Sequence, residues 1–104
     1  DSNEAKAISI VFGDASRALS VSSTKSMTGH MLGAAGSVEF IAATLAIRDS
    51  LVPPTINYRN PDPECGDLDF TPNVVKPREV RAALSNSAGF GGHNVSIAVK
   101  RFTE

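Results

Sequence analysis

The feature that most constrains this chain is the run from Gly33 to Ile47, built of small and apolar residues with one carboxylate, Glu39, set inside it. Val38, Ile41, Ala42 and Leu45 recur at helical spacing, and Phe40, Ala43 and Ile47 leave little polar surface on the other sides. The pattern predicts a helix from about Gly33 to about Asp49, and a helix that is apolar nearly all round is a buried one. A carboxylate in such a helix needs a partner, because an unpaired buried charge is strongly unfavourable. Lys25 and His30 stand in the segment leading into this helix.

The rest of the chain reads as short elements on either side. Ser2 or Asn3 is positioned to cap a first helix, with Glu4 in its first turn to suit the dipole. Ala5, Ile8, Val11 and Phe12 make its apolar face, and Gly13 is its stop. Leu19 to Ser23 alternates as a short strand would. Pro53-Pro54 ends the helical region, and Asn57 to Asp69 reads as an exposed loop with prolines and acids. Thr71 to Pro77 is irregular or a short edge strand. Ala82 to Asn86 reads as a strand, and Val95, Ile97 and Val99 alternate with Ser96, Ala98 and Lys100 as a second. Gly89-Phe-Gly-Gly92 joins these two as a tight connection between antiparallel neighbours.

Composition removes several classes. The 104 residues fit one domain or less. Ten basic against eleven acidic residues give no electrostatic case for nucleic acid or an anionic membrane. No apolar run is long enough to span a bilayer, and no signal peptide opens the chain. One cysteine, Cys65, excludes an internal disulfide framework and fits a reducing compartment. Asp62, Glu64, Asp67 and Asp69 flank it, and negative neighbours disfavour the thiolate a nucleophile needs. It reads as a free loop thiol. No spacing of His, Cys and carboxylates suggests a zinc or iron site. Gly29-His-Met-Leu-Gly33 lacks the ending of a phosphate loop.

Two longer motifs are more specific. Lys25-Ser-Met-Thr-Gly-His30, followed by Gly33-Ala-Ala-Gly36 and Glu39, resembles the second catalytic segment of the beta-ketoacyl-ACP synthases. Ser85-Asn-Ser-Ala-Gly-Phe-Gly-Gly-His-Asn94 resembles the glycine-rich loop near that family's C-terminus. The resemblance runs over nearly all of residues 1–104 but covers only the C-terminal part of the family's enzyme. It implies an α/β fold, the C-terminal half of a thiolase-like architecture, with the central helix buried and packed on a mixed sheet.

The implied reaction is a decarboxylating Claisen condensation of an acyl group, held on a cysteine, with malonyl-ACP. On that reading His30 donates an N–H to the thioester oxygen where charge develops. Lys25 orients the site, and its cation disfavours a second positive charge on His30. Glu39 holds the polar network with Ser85 and Asn86, and in some members of the family with a monovalent cation. Gly89, Gly91 and Gly92 let backbone approach the substrate. Phe90 gates the acyl pocket, and its N–H helps bind the acyl oxyanion. His93 reads as a structural hydrogen-bonding residue. The nucleophilic cysteine and the family's other histidine fall upstream of Asp1, so this chain alone is expected to be inactive.

Implied partners are acyl carrier protein and a second copy of the enzyme, in the cytoplasm or an organellar matrix. No cofactor is implied beyond the carrier's phosphopantetheine arm. The motif wording favours fatty-acid elongation. The alternatives are a polyketide ketosynthase or its non-elongating partner, and a thiolase-fold binding module without catalysis. Taken alone the residues are less telling: Lys25 would be a solvated loop lysine, His30 a capping residue, Glu39 a helix-surface acid and Phe90 a core aromatic.

Overall fold

In the computed structural model, which describes residues 1–104, helix α1 spans Ser2–Phe12. Asp1 is its N-cap, accepting the Ala5 N–H on its backbone carbonyl at 2.9 Å without a side-chain cap. The cap therefore falls one residue before Ser2 and two before Asn3, the positions expected. Gly13 closes the helix at φ 54°, a conformation that disfavours a side chain. A 3-10 segment, Gly13–Ala18, follows. Ala5 is buried, whereas Val11 on the expected apolar face is 76 % exposed.

Lys25–Thr28 forms a single helical turn, α2, ended by Gly29 at φ 76°. A 3-10 turn over Leu32–Ala34 leads into α3, Ala35–Asp49, which Ser50 closes in the left-handed conformation. Two short strands, β1 (Leu51–Val52) and β2 (Lys76–Pro77), pair antiparallel. Pro77 has no N–H to give, which suits so short a ladder. β3 (Ala82–Gly89) and β4 (His93–Lys100) form an antiparallel hairpin of eight consecutive pairs. Its turn, Phe90 to Gly92, holds Gly91 and Gly92 at φ 83° and 82°.

Two expectations change here. The sheet within this chain is not mixed: both ladders are antiparallel, and parallel pairing is confined to the single bridges Ser20–Asp69 and Thr55–Pro72. Leu19 to Ser23 is accordingly an extended segment with one bridge rather than a strand. Nor is α3 buried on all sides. Ala35 and Ile47 are buried, but Ile41 is 56 % exposed. The helix packs on β3 and β1 along one side, and this chain supplies nothing to cover the other.

The surface area makes the same point. A compact monomer of this mass exposes about 5,600 Å², whereas this chain exposes 7620 Å². Only six residues are buried, Ala5, Ala35, Ile47, Val52, Leu68 and Thr71, so the interior is a thin seam shared by α1, α3, β1 and the loop before β2. No helix is long and apolar enough to cross a membrane.

Candidate functional site

The carboxylate inside α3 has found its partner. Lys25 Nζ donates to Oε1 of Glu39, joining α2 to α3 across fourteen residues of chain. The Glu39 side chain keeps 14 % of its exposure and that of Lys25 keeps 37 %. Thr24 precedes α2 and accepts the N–H groups of Met27 and Thr28 on its carbonyl, so the turn presents Lys25 from its first position. The amphipathic bookkeeping of a surface helix does not explain Glu39; an ion pair to the preceding turn does.

His30 stands exposed in the link between α2 and α3, and its ring is held by the backbone. The N–H of Leu32 donates to Nδ1 of His30 at 3.0 Å. A nitrogen that accepts a hydrogen bond carries no proton, so in the neutral ring the proton is assigned to Nε2. That leaves Nε2–H free to donate outward. The geometry requires Leu32 at φ 50°, a left-handed conformation that costs a non-glycine residue roughly 1–2 kcal/mol. The charge of Lys25, expected to act on His30, is answered instead by Glu39.

The second motif hangs from the same helix. Gly36, one turn before Glu39, faces β3: a Cβ built there would lie 3.8 Å from Oγ of Ser87. That is an ordinary van der Waals distance, so the hairpin lies against α3 at this point with room for a methyl group. Ser85 and Ser87 lie on the inner face of β3. Asn86 lies on the outer face, where Ser96 Oγ donates to its Oδ1 at 2.7 Å. Consecutive strand residues point to opposite sides. The Ser85 and Asn86 side chains therefore point to opposite faces of β3. No group of three or more His, Cys, Asp or Glu side chains is arranged to hold a metal.

At the hairpin tip Phe90 is fully exposed, which removes the reading of this residue as core packing within this chain. Gly89 ends β3 opposite His93, and Gly91 and Gly92 supply the two left-handed positions of the turn. His93, expected to hydrogen-bond, uses its ring otherwise: a Cβ at Gly91 would lie 3.7 Å from its Cδ2, so the imidazole lies beside the glycine backbone. Cys65 is a partly buried free thiol in the 3-10 turn Pro63–Cys65.

The structure adds residues that motif reading passed over. Ser23 N–H donates to Thr55 Oγ1 at 3.0 Å, and Ile56 N–H donates to Ser26 Oγ at 2.9 Å. Thr71 Oγ1 donates to the Val21 carbonyl at 2.9 Å. Asp69 accepts Lys76 Nζ at 2.6 Å and the Thr71 N–H at 2.9 Å, which together hold its carboxyl below the usual range. Arg78 donates to the Ala18 carbonyl and to Ser20 Oγ, each at 2.9 Å. The segment entering the Lys25 turn is thus stitched to distant loops. The only signal in the sequence was the density of Ser and Thr around Lys25, residues whose side chains bond to backbone.

This chain belongs to the beta-ketoacyl synthase family: residues 1–59 match the model of its C-terminal domain, "Beta-ketoacyl synthase, C-terminal domain". It is 55 % identical over 102 residues to 3-oxoacyl-[acyl-carrier-protein] synthase 2 of Staphylococcus aureus, covering 98 % of this chain and 24 % of that protein. It is 52 % identical over 101 residues to nodulation protein E of Rhizobium meliloti, covering 97 % of this chain and 25 % of that protein. Among solved structures it superimposes with a TM-score of 0.92 and 42 % identity on a type II polyketide ketosynthase complexed with its acyl-carrier protein, covering 97 % of this chain and 24 % of that one. The ishigamide ketosynthase/chain length factor matches with a TM-score of 0.92 at 39 % identity, over 99 % of this chain and 25 % of that one. The fold is that of the C-terminal part of these thiolase-like enzymes. The chain spans about a quarter of the length of the relatives it matches.

Proposed function

We propose that this chain forms the part of a 3-oxoacyl-ACP synthase that handles the malonyl substrate in fatty-acid elongation. The observation that carries the reading is the fixed His30 ring, its Nδ1 engaged by Leu32 and its Nε2–H free. The bond between the malonyl methylene carbon and its carboxylate breaks, carbon dioxide leaves, and the electron pair remains as the thioester enolate. Nε2–H of His30 donates to the enolate oxygen as its charge grows, from a position set in advance. The carbon then attacks the carbonyl of an acyl group carried on a cysteine outside this chain; a carbon–carbon bond forms and the thiolate leaves. The Lys25–Glu39 pair holds the turn that presents this segment. The Phe90–Gly92 turn gates the acyl group, and the Phe90 N–H serves its oxyanion.

Both acyl groups would arrive on the phosphopantetheine arm of acyl carrier protein, with no further cofactor. The solved relative titled as a ketosynthase with its acyl-carrier protein supports that partner. The working unit on this reading is a homodimer in the cytoplasm or an organellar matrix. The higher identity to synthase 2 than to the polyketide enzymes favours fatty acid over polyketide elongation.

The test is His30→Ala in the full-length enzyme containing this chain. Loss of one preorganised donor lowers the rate of malonyl-ACP decarboxylation by about 10²–10³. Acyl transfer from acyl-ACP to the enzyme falls much less. Equal loss of both steps, with an unchanged melting temperature, would remove His30 from this role.

A further inference from the structure

The Lys25 turn is held from outside by the loop Thr55–Tyr58, whose Thr55 end is fixed by a backbone bond to the Thr71 carbonyl at 2.9 Å and whose Tyr58 end is held by one side chain. Asn73 Nδ2 donates to the Tyr58 carbonyl at 2.7 Å, while the Tyr58 N–H donates to Asn73 Oδ1 at 2.9 Å. The side-chain amide engages both polar groups of one residue, as a neighbouring strand would. The Asn73 N–H also donates to the Thr55 carbonyl at 2.8 Å. Asn73 sits at φ 63° and Asn57 at φ 61°, left-handed positions that asparagine tolerates better than most residues.

From this clamp the connection to Lys25 is short. Thr55 Oγ1 accepts the Ser23 N–H, and the Ile56 N–H reaches Ser26 Oγ. The same Ser26 hydroxyl donates to the Ser23 carbonyl at 2.9 Å. Ser22 Oγ donates to the Pro53 carbonyl at 2.6 Å, extending the contact one residue upstream. Lys25 lies between Ser23 and Ser26, with both its flanks tied to the loop that Asn73 grips. Asn73 itself is exposed, so removing its amide empties no core space.

We propose that Asn73 is a positioning residue for the Lys25–His30 segment, acting through Tyr58 and Ile56. This rests on the reading of that segment as the malonyl-handling site. Without the amide, the Tyr58 N–H and carbonyl lose their partners and the loop shifts toward water. The Ile56 N–H moves with it, while Thr55 keeps its backbone bonds to Thr71 and Asn73, and the Lys25 turn loses the part of its outer support that runs through Ser26. The ion pair to Glu39 and the path of the chain toward His30 then loosen together. Displacements of about 1 Å at a reacting centre cost up to about a hundredfold in rate, far more than a surface amide contributes to stability.

The experiment uses the full-length enzyme with Asn73→Gly and Asn73→Asp. Glycine keeps the left-handed backbone and deletes the amide. Aspartate keeps the size and the acceptor for Tyr58 N–H but turns an oxygen toward the Tyr58 carbonyl. Malonyl-ACP decarboxylation and acyl transfer from acyl-ACP are measured separately, with hydrogen exchange at the Ile56 and Tyr58 amides. We expect faster exchange at the Ile56 amide in both variants and at the Tyr58 amide in Asn73→Gly, with decarboxylation kcat lower by about tenfold or more in both, and unchanged acyl transfer and KM for malonyl-ACP. Three results would overturn the proposal: unchanged decarboxylation despite faster exchange, unchanged exchange, or a parallel loss of both half-reactions with a drop in melting temperature. Should glycine prevent folding, the isosteric aspartate variant alone decides between these outcomes. His30→Ala in the same assay separates the two levels: if it leaves decarboxylation intact, the reading of the site fails, whatever Asn73 does.

Discussion

Leu32 and His30 are bound to each other two residues apart, the backbone N–H of one donating to the ring Nδ1 of the other at 3.0 Å. Leu32 adopts φ 50° to do so. Leu32→Gly relieves the left-handed conformation and keeps the N–H. We expect nitrogen NMR of the labelled ring to show the same Nε2–H tautomer, with activity of the full-length enzyme retained. Leu32→Pro imposes φ near −65° and removes the donor. In that variant the tautomer preference is lost and malonyl decarboxylation falls with it. Retention of the tautomer in the proline variant would show that something else sets it.

The Lys25–Glu39 pair makes a prediction about coupling. Removing one partner of a buried pair costs about 3–5 kcal/mol; with Lys25 at 37 % exposure the cost here falls below that range. Lys25→Met and Glu39→Gln are each expected to lower the melting temperature of the full-length enzyme. The double variant should be more stable than the sum of the two losses implies, because it leaves no stranded charge. Strict additivity would mean that the two groups do not stabilise each other.

Asp69 carries the clearest pH dependence. Its folded carboxyl lies below the ordinary value, first because Lys76 Nζ bonds to it and second because the Thr71 N–H does. A depressed carboxyl contributes stability that is present above the unfolded value, near 3.9. That contribution is lost as the pH falls through the folded value. Thermal melts between about pH 6 and pH 3 should therefore lose stability steeply at the acid end, and Asp69→Asn should flatten that slope. An identical slope in the variant would assign the acid sensitivity to other groups.

Phe90 is exposed at the tip of the hairpin, so Phe90→Ala should leave stability within about 0.5 kcal/mol, as surface changes do. In the full-length enzyme it should alter the relative rates of acyl transfer from short and long donors. Gly91→Val is different. At φ 83° a β-branched residue is strained by at least roughly 1–2 kcal/mol, so turnover should slow even though the ring is intact. A destabilised Phe90→Ala with unchanged selectivity would reject the gate.

The isolated chain should not behave as a self-contained monomer. It exposes 7620 Å², roughly 2,000 Å² beyond a compact protein of its mass, and much of that excess is apolar side chain on α1, α3 and the hairpin. Hydrophobic dye binding and concentration-dependent sedimentation are the expected results, together with no formation of 3-ketoacyl-ACP from acyl-ACP and malonyl-ACP. A monodisperse species that binds no dye would show that the chain rearranges to cover itself.

Local pattern made α1, α3 and the hairpin legible. Alternation at Val95, Ile97 and Val99 marked β4, and Gly89 to Gly92 marked its turn, because strand and turn preferences act within a few residues. Burial was less accurately read at Ile41. An apolar side chain states what environment it prefers, and only the whole assembly determines whether that environment is supplied. Lys25 and Glu39 were each singled out, but their pairing spans two elements and no spacing rule encodes it. The supports at Thr55, Thr71 and Asn73 were illegible for a related reason. Their bonds run to backbone, and a backbone acceptor looks the same at every position in a sequence.

The β3–β4 hairpin pairs eight residues on each strand without a bulge, from Ala82 opposite Lys100 to Gly89 opposite His93. At its base Arg101 N–H bonds the Arg81 carbonyl and the Arg101 guanidinium reaches the Ile47 carbonyl of α3. Along its length β3 lies on α3, with Ser87 beside Gly36, so the ribbon is a beam supported from its base almost to its tip. Bending it would break several rungs at once, whereas the three residues beyond the last rung swing without breaking any. Displacement of the Phe90 ring is thereby decoupled from the beam that carries it. On the reading of Phe90 as a gate, changes at Gly91 or Gly92 would alter how readily the ring moves and would leave the Glu39 helix where it is.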